Sequence, residues 1–180
     1  MSRPTRHLAA VGVLASATLL LTGCSAVQGM IGGVEPERDE ATGEITEAAN
    51  ADAFALRVGD CLTYAEEVPA EVSEEEPELE EVSSVPTVPC GDEHDSEVYA
   101  AHDLEGEEFP GDDAIIASAD ELCFADFQPF VGTAYDDSTL DFTFLAPTAT
   151  SWEYADDREV LCIVMDPAGG VTGTLKGAQY

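Results

Sequence analysis

Val160-Leu161-Cys162-Ile163-Val164-Met165 runs straight into Asp166-Pro167-Ala168-Gly169-Gly170. Six apolar residues without a polar break predict a central β-strand buried on both faces, since a half-exposed strand would alternate. The Pro and Gly residues that follow signal a turn, after which Val171–Lys176 is expected to return as a hairpin partner. Upstream, Asp141–Ala146 does alternate, with Phe142 and Phe144 on one face and Thr143 and Leu145 on the other. Two further strands are read at Arg57–Thr63 and Glu97–Asp103. Between them and the later strands lies one good helix. Asp112 is expected to cap it, and Asp113 suits the positive end of its dipole. Ile116, Ala119, Cys123 and Phe127 share a face at helical spacing, and Pro129 is expected to stop it by displacing Gln128 from helical geometry. A short helical turn is read around Trp152. The order β-β-α-β-β-β predicts an α+β domain: a small, mainly antiparallel sheet with one covering helix.

The amino terminus has a different character. Arg3, Arg6 and His7 form a positive start, and Leu8–Leu21 is an uncharged, mostly apolar run. Its 14 residues suit a signal peptide and fall short of the roughly 20 that a spanning helix needs. The run ends in Leu21-Thr22-Gly23-Cys24, the pattern of a bacterial lipobox: an apolar residue, two small ones, then the cysteine that takes the lipid. Residues 1–23 therefore read as a lipoprotein signal peptide and 24–53 as a lipidated flexible tether, rich in Gly, Ala, Glu and Thr. Residues 54–180 read as the domain, carrying a disordered, glutamate-rich insert at 66–87. The expected location is the outer face of the cytoplasmic membrane, with acyl chains such as palmitate as the grip. Each buried methylene contributes about 0.8 kcal/mol, so two or more chains hold a soluble domain stably.

Charge narrows the partners. The 180-residue chain has 6 basic and 38 acidic residues, a formal net charge of −32. Loss of residues 1–23 removes Arg3 and Arg6 and no acid, leaving four basic residues and a net charge near −34. Such a surface repels phosphate backbones, which excludes nucleic acid as a partner. It also repels anionic headgroups, so membrane contact is assigned to the lipid on Cys24 rather than to charge.

With Cys24 acylated, Cys61, Cys90, Cys123 and Cys162 remain, an even number that reads as two disulfides in an exported domain. Of the three connectivities, Cys61–Cys90 with Cys123–Cys162 is favoured. The first bond closes the loop bearing the insert and the second pins the helix to the central strand. No Cys-x-x-Cys pair is present and Cys90-x-x-x-His94 is half a site, so no metal and no cofactor is expected. The insert lacks the Gly turn and ordered oxygen spacing of a calcium loop.

Val58-Gly59-Asp60-Cys61-Leu62, Val88-Pro89-Cys90, His94, Glu97-Val98, Cys123, Val131-Gly132, Trp152, Asp157-Arg158, Cys162 and Thr172-Gly173-Thr174-Leu175-Lys176-Gly177 follow one another in a fixed order. In that order and spacing the chain resembles the septum-formation domain of lipoproteins and membrane proteins from high-GC Gram-positive bacteria. It departs from that pattern at Glu93, where Pro often stands, and at Asp156, where Gly often precedes Asp-Arg. The resemblance implies a cell-envelope role tied to division septa, with envelope or division proteins as partners, and implies no enzymatic activity.

His94, Trp152 and Arg158 are the candidate binding residues. His94 is surrounded in sequence by Asp92, Glu93, Asp95 and Glu97, which suits a pH-sensitive group, although a histidine bonded to the turn after Cys90 is the simpler reading. His102, within a strand, reads as a packed or surface residue. Trp152 suits stacking on a cell-wall sugar or, more simply, plugging the sheet edge. Arg158, flanked by Asp157 and Glu159, suits a structural ion pair. Asp60 and Asp141 form a conceivable carboxylate pair for glycan hydrolysis, but acids are too common here for the pairing to carry weight. No Gly-x-Ser-x-Gly elbow occurs. A non-catalytic binding or scaffolding lipoprotein is the first expectation. An envelope enzyme acting on cell-wall glycan or peptide, and an acidic cation-binding surface protein, are the alternatives. The lipobox reading has a direct consequence: Cys24→Ala is expected to leave unprocessed precursor or to release the protein into soluble fractions. A mutant still membrane-bound at mature size overturns it.

Overall fold

The computed structural model describes residues 33–64 and 79–180. The signal-peptide and lipidation readings, including Cys24, and most of the acidic insert lie outside the described residues.

Six antiparallel strands form one curled sheet: β1 (Ala49–Asp52), β2 (Cys61–Leu62), β3 (Ser84–Val88), β4 (Ser96–Asp103), β5 (Asp141–Leu145) and β6 (Glu159–Met165). Their order across the sheet is β1-β3-β2-β4-β6-β5. One long helix, α1 (Asp112–Val131), covers one face, and a short helix, α2 (Ala149–Tyr154), joins β5 to β6.

β6 is central, as its apolar run predicts. It pairs with β4 on one side and β5 on the other. Its side chains alternate between two cores. Val160, Cys162 and Val164 meet α1 through Ala119, Cys123, Phe127 and Val131. Leu161, Ile163 and Met165 point into the curl, against Ala51, Leu62, Val85 and Val98. β5 obeys the same rule, with Phe142 and Phe144 toward the helix core and Leu145 toward the other. The register of β4 shifts between Val98 and Ala100. Such a bulge bends a strand and increases its twist, which suits a sheet that closes on itself.

Several sequence-based expectations are corrected. Val171–Lys176 is not a hairpin strand; only Val171 bridges, to His94. Gly169 and Gly170 both adopt positive φ, and the chain leaves the turn away from β6 to cross over the end of β2 and β4. The first strand, read at Arg57–Thr63, is only Cys61–Leu62, because Arg57–Asp60 forms a turn closed by Asp60 N–H on the Arg57 carbonyl. β1 lies in the stretch read as tether and β3 begins inside the stretch read as insert. Both are short and polar, and β3 contains Pro86. That residue is tolerated because β2 ends early: Pro86 faces Thr63 and needs only its carbonyl, which accepts the Thr63 N–H. Gly111, not Asp112, caps α1, and Asp112 is its first residue. Pro129 lies inside the helix, which runs on to Val131. The lost backbone bond is outweighed by full burial of Val131 and by Gly132, whose φ of 88° caps the end in the left-handed conformation. On the opposite end, Ile115 is the buried isoleucine and Ile116 is half-buried. The turn around Trp152 is α2, closed by a capping box between Thr148 and Ser151.

Both disulfides have the favoured connectivity, Cys61–Cys90 and Cys123–Cys162. Their separations of 29 and 39 residues correspond to about 3.5–4 kcal/mol each in the chain-entropy account. The second ties α1 to β6 at the middle of the helix core. Replacing Cys123 and Cys162 together by alanine is expected to lower stability by about 3–4 kcal/mol, measured as a fall in the urea midpoint. An unchanged midpoint would mean that packing alone seats the helix.

Candidate functional site

Several of the polar residues singled out above meet at one end of the sheet, where the C-terminal segment returns as a strap. His94 and Val171 exchange both backbone bonds at 3.0 Å. Gly173 N–H donates to the Cys90 carbonyl at 2.6 Å, beside the Cys61–Cys90 disulfide. Glu97, 3% exposed, receives the end of the strap. Its carboxylate accepts from the Thr174 hydroxyl at 2.8 and 2.9 Å and from Leu175 N–H at 2.6 Å. Leu175 is thereby driven into the helix core. The strap then reaches the end of α1, where Gly177 N–H and Gln179 N–H donate to the Phe130 and Val131 carbonyls. A Cβ on Gly132 would press on the Gln179 side chain at 3.1 Å.

Burial pushes the Glu97 carboxyl above the ordinary carboxylate range, against the opposing effect of the Leu175 and Thr174 bonds and of nearby His94 and Lys176. His94 is 1% exposed. Its Nδ1 lies 2.9 Å from the Asp92 carbonyl, so that nitrogen carries the proton, and Nε2 has no hydrogen-bond partner among the described residues. His94 is thus bonded to the turn after Cys90 and sealed beneath the strap.

A second polar centre joins the amino-terminal stretch to the domain. Asp60 is 3% exposed and pairs with Arg38 through two bonds, Nη1 to Oδ1 at 2.6 Å and Nη2 to Oδ2 at 2.8 Å. Arg38 also donates to the Ala55 and Gly43 carbonyls, and Arg57 N–H donates to Asp60. The bond to Asp60 raises the Arg38 pKa further above its ordinary value. A planar fork on a carboxylate, with both terminal nitrogens also bonded to carbonyls, offsets much of the cost of burying charge, although Nε has no partner among the described residues. Sequence reasoning missed Arg38. The available signal was scarcity: it is one of four cations after position 24, beside 38 acids.

The third centre holds Trp152 and Arg158 together. Trp152 is 3% exposed, its Nε1–H donates to the Glu107 carbonyl, and Phe109 meets its ring edge-on. The Arg158 guanidinium carbon lies 3.7 Å from the centre of that ring. Its nitrogens donate to the Trp152, Asp157 and Gly106 carbonyls. The ion pair expected with Asp157 or Glu159 is instead made with exposed Asp156 at 3.2 Å. Asp157 is occupied otherwise, accepting from the Ser151 hydroxyl and Glu159 N–H. Asp156 has φ 55°, a left-handed conformation that favours glycine, which accounts for the glycine often found at that point of the pattern. Trp152 is therefore a plug and Arg158 its clamp.

Each of these three centres contains residues of the pattern quoted above: His94, Glu97 and Thr174 in the first, Asp60 in the second, and Trp152, Asp157 and Arg158 in the third. A family model described as septum formation matches residues 58–179.

The chain belongs to the septum-formation family.

No curated protein and no solved structure matches the chain. In this member of the septum-formation family the motif residues do not assemble a shared cleft. Asp60 and Asp141 are not brought together: Asp60 is held by Arg38, while Asp141, on edge strand β5, accepts the Tyr135 hydroxyl. That bond raises the Tyr135 pKa to about 12, with burial adding to it. His102 bonds Asp126 at 2.7 Å across β4 and α1, on a half-exposed surface. An open cleft of about 230 Å³ lies elsewhere, lined by Leu79, Glu81, Asp112 and Thr148–Thr150, and contains none of the candidate residues. Among the described residues no cluster of three or more His, Cys, Asp or Glu side chains is arranged to hold a metal ion.

Glu97 provides a measurable test of the strap. A carboxyl whose pKa is raised by folding binds its proton more tightly when folded. Its contribution therefore falls as pH rises from roughly 4.3, the unfolded value, to its higher folded pKa, and is constant beyond. Glu97→Gln keeps an acceptor for Thr174 and Leu175 without the charge. The urea midpoint of the variant is expected to gain on wild type as pH rises through that window. Parallel pH curves would show that Glu97 has no raised pKa. Glu97→Ala, which orphans the Leu175 N–H, is expected to cost about 1–3 kcal/mol above that window and more below it.

Proposed function

We propose that this chain is a membrane-anchored lipoprotein of the cell envelope, held by lipid on Cys24, whose domain binds or scaffolds partners at the division septum without catalysing a reaction. One observation carries the reading: the residues that mark the septum-formation family are spent on closing this fold. Asp60 neutralises Arg38, Glu97 fastens the strap, His94 is sealed beneath it, and Arg158 clamps Trp152. A general acid or base must reach a substrate proton, and His94 and Glu97 are both almost fully covered. What such a domain offers to partners is its outer surface.

The anchor rests on Arg3 and Arg6, the apolar run Leu8–Leu21 and the Leu21-Thr22-Gly23-Cys24 pattern. Two disulfides suit an oxidising compartment outside the cytoplasm. No helix among the described residues is long and apolar enough to cross a membrane. Envelope and division proteins are the partner class, and basic patches on them would complement the acidic surface.

Crosslinking in living cells, combined with imaging of a tagged copy, tests the proposal. The expected result is enrichment at septa with capture of envelope or division proteins. Even distribution around the cell with no envelope protein captured would refute it.

A further inference from the structure

We infer that the face carrying Val34, Phe54 and Val58 rests on the lipid bilayer to which Cys24 is attached. The inference depends on Cys24 carrying lipid, as proposed above, and adds the orientation in which the domain is held.

The first observation is how few residues separate that cysteine from the described fold. Read as a tether to Ala53, the segment would reach roughly 100 Å. The structure shortens it. Val34 forms a parallel bridge to Ala51, with Val34 N–H on the Asn50 carbonyl and Asp52 N–H on the Val34 carbonyl, both at 2.9 Å. Gly33 lies so close to the Ala51–Asp52 backbone that a Cβ there would overlap it. The buried Arg38–Asp60 pair then fixes the next turn. The chain is docked at Gly33, nine residues after Cys24. Nine residues span at most about 30 Å when fully extended. The attachment enters beside β1, the edge strand of the sheet.

The second observation is what surrounds that entry. Val34, Phe54 and Val58 are 44%, 63% and 54% exposed, three of the six large apolar side chains left open among the described residues. They belong to one group of loops. Val34 is bonded beside β1, Phe54 lies two residues past the end of that strand, and the Arg57–Glu35 ion pair links the Val58 turn back toward Val34. That ion pair, with Arg38–Asp60, brings two of the four cations of the mature chain to this region and pairs each with an acid. In a protein of such negative charge, two of its rare cations stand beside these apolar side chains.

A free protein would gain little from three apolar contacts. A short tether changes the comparison, because the bilayer surface is then present at an effective concentration on the order of millimolar. Weak contacts suffice under that condition, and the face nearest the attachment meets the surface first.

The test uses the full-length acylated protein in phosphatidylcholine vesicles whose acyl chains are brominated, with unbrominated vesicles as reference. Buried Trp152 supplies a constant background in wild type. Phe54→Trp places a reporter on the proposed face. Tyr154→Trp places one at an 80% exposed position at the end of α2, the helix that follows β5, the opposite edge strand. The Phe54→Trp signal is expected to fall by half or more in brominated vesicles and the Tyr154→Trp signal to stay unchanged. Adding Val34→Asp and Val58→Asp to the Phe54→Trp protein is expected to abolish the quenching. Equal quenching at both positions, or none at Phe54→Trp, overturns the orientation. The mass of the Cys24 peptide separates the two readings: acyl mass without quenching defeats only this inference, and no acyl mass defeats the anchor and this inference together.

Discussion

Two-sided burial of β6 is the constraint on which the rest of the structure depends. A strand bonded on both edges and covered on both faces must supply apolar side chains in alternation to two cores, and Val160 to Met165 do so. One face calls for a helix, and α1 meets it with a row at every fourth residue: Ile115, Ala119, Cys123, Phe127 and Val131. The other face needs a lid. The sheet supplies that lid by curling, so that side chains of β1, β2 and β3 close over Leu161, Ile163 and Met165. Each core is small, which explains why covalent ties accompany both: Cys123–Cys162 in the first, and Cys61–Cys90 where β2 meets the turn before β4.

Polar residues complete what apolar burial begins. A curled sheet with a two-residue β2 leaves backbone groups open at its end, and buried groups of that kind must find partners. The strap after Gly170 satisfies them, and Glu97 fastens it from within. Arg38 performs the equivalent task for the amino-terminal stretch by reaching Asp60. Trp152 and Arg158 do so for the loop between β4 and α1. Such side chains have the chemistry of active sites, yet their geometry here is that of fasteners, each pointing inward and already bonded. That distinction directs attention to the outer surface, with its dense negative charge and its few open apolar side chains, Val34, Phe54 and Val58 among them.

Sequence legibility followed the range of the interaction involved. Patterns repeated within a few residues were readable: the apolar run of β6, the alternation of β5, the helical stripe of α1 and the punctuation around Trp152. The disulfide pairing could only be favoured among three connectivities, and the structure has the favoured one. Interactions between distant and individually ordinary residues were not. β1 and β3 are short, polar and, at Pro86, contrary to strand preference. They exist because each finds a bonded neighbour. Arg38 looked like one polar residue in a flexible run, and Val171–Lys176 looked like a strand.

The sequence by itself determined the α+β class, the central strand, the covering helix and the family pattern, since local periodicity and spacing encode all of these; it favoured one cysteine pairing of three, and the structure decided it. Only the tertiary structure decided where the fold begins, what the last ten residues do, and whether the tempting polar residues face a ligand or the protein's own backbone. Those outcomes depend on which groups are brought within 3 Å of one another across 20 to 80 positions of chain. A carboxylate reads the same in sequence whether it awaits a substrate or holds a strap in place; its partner settles the difference.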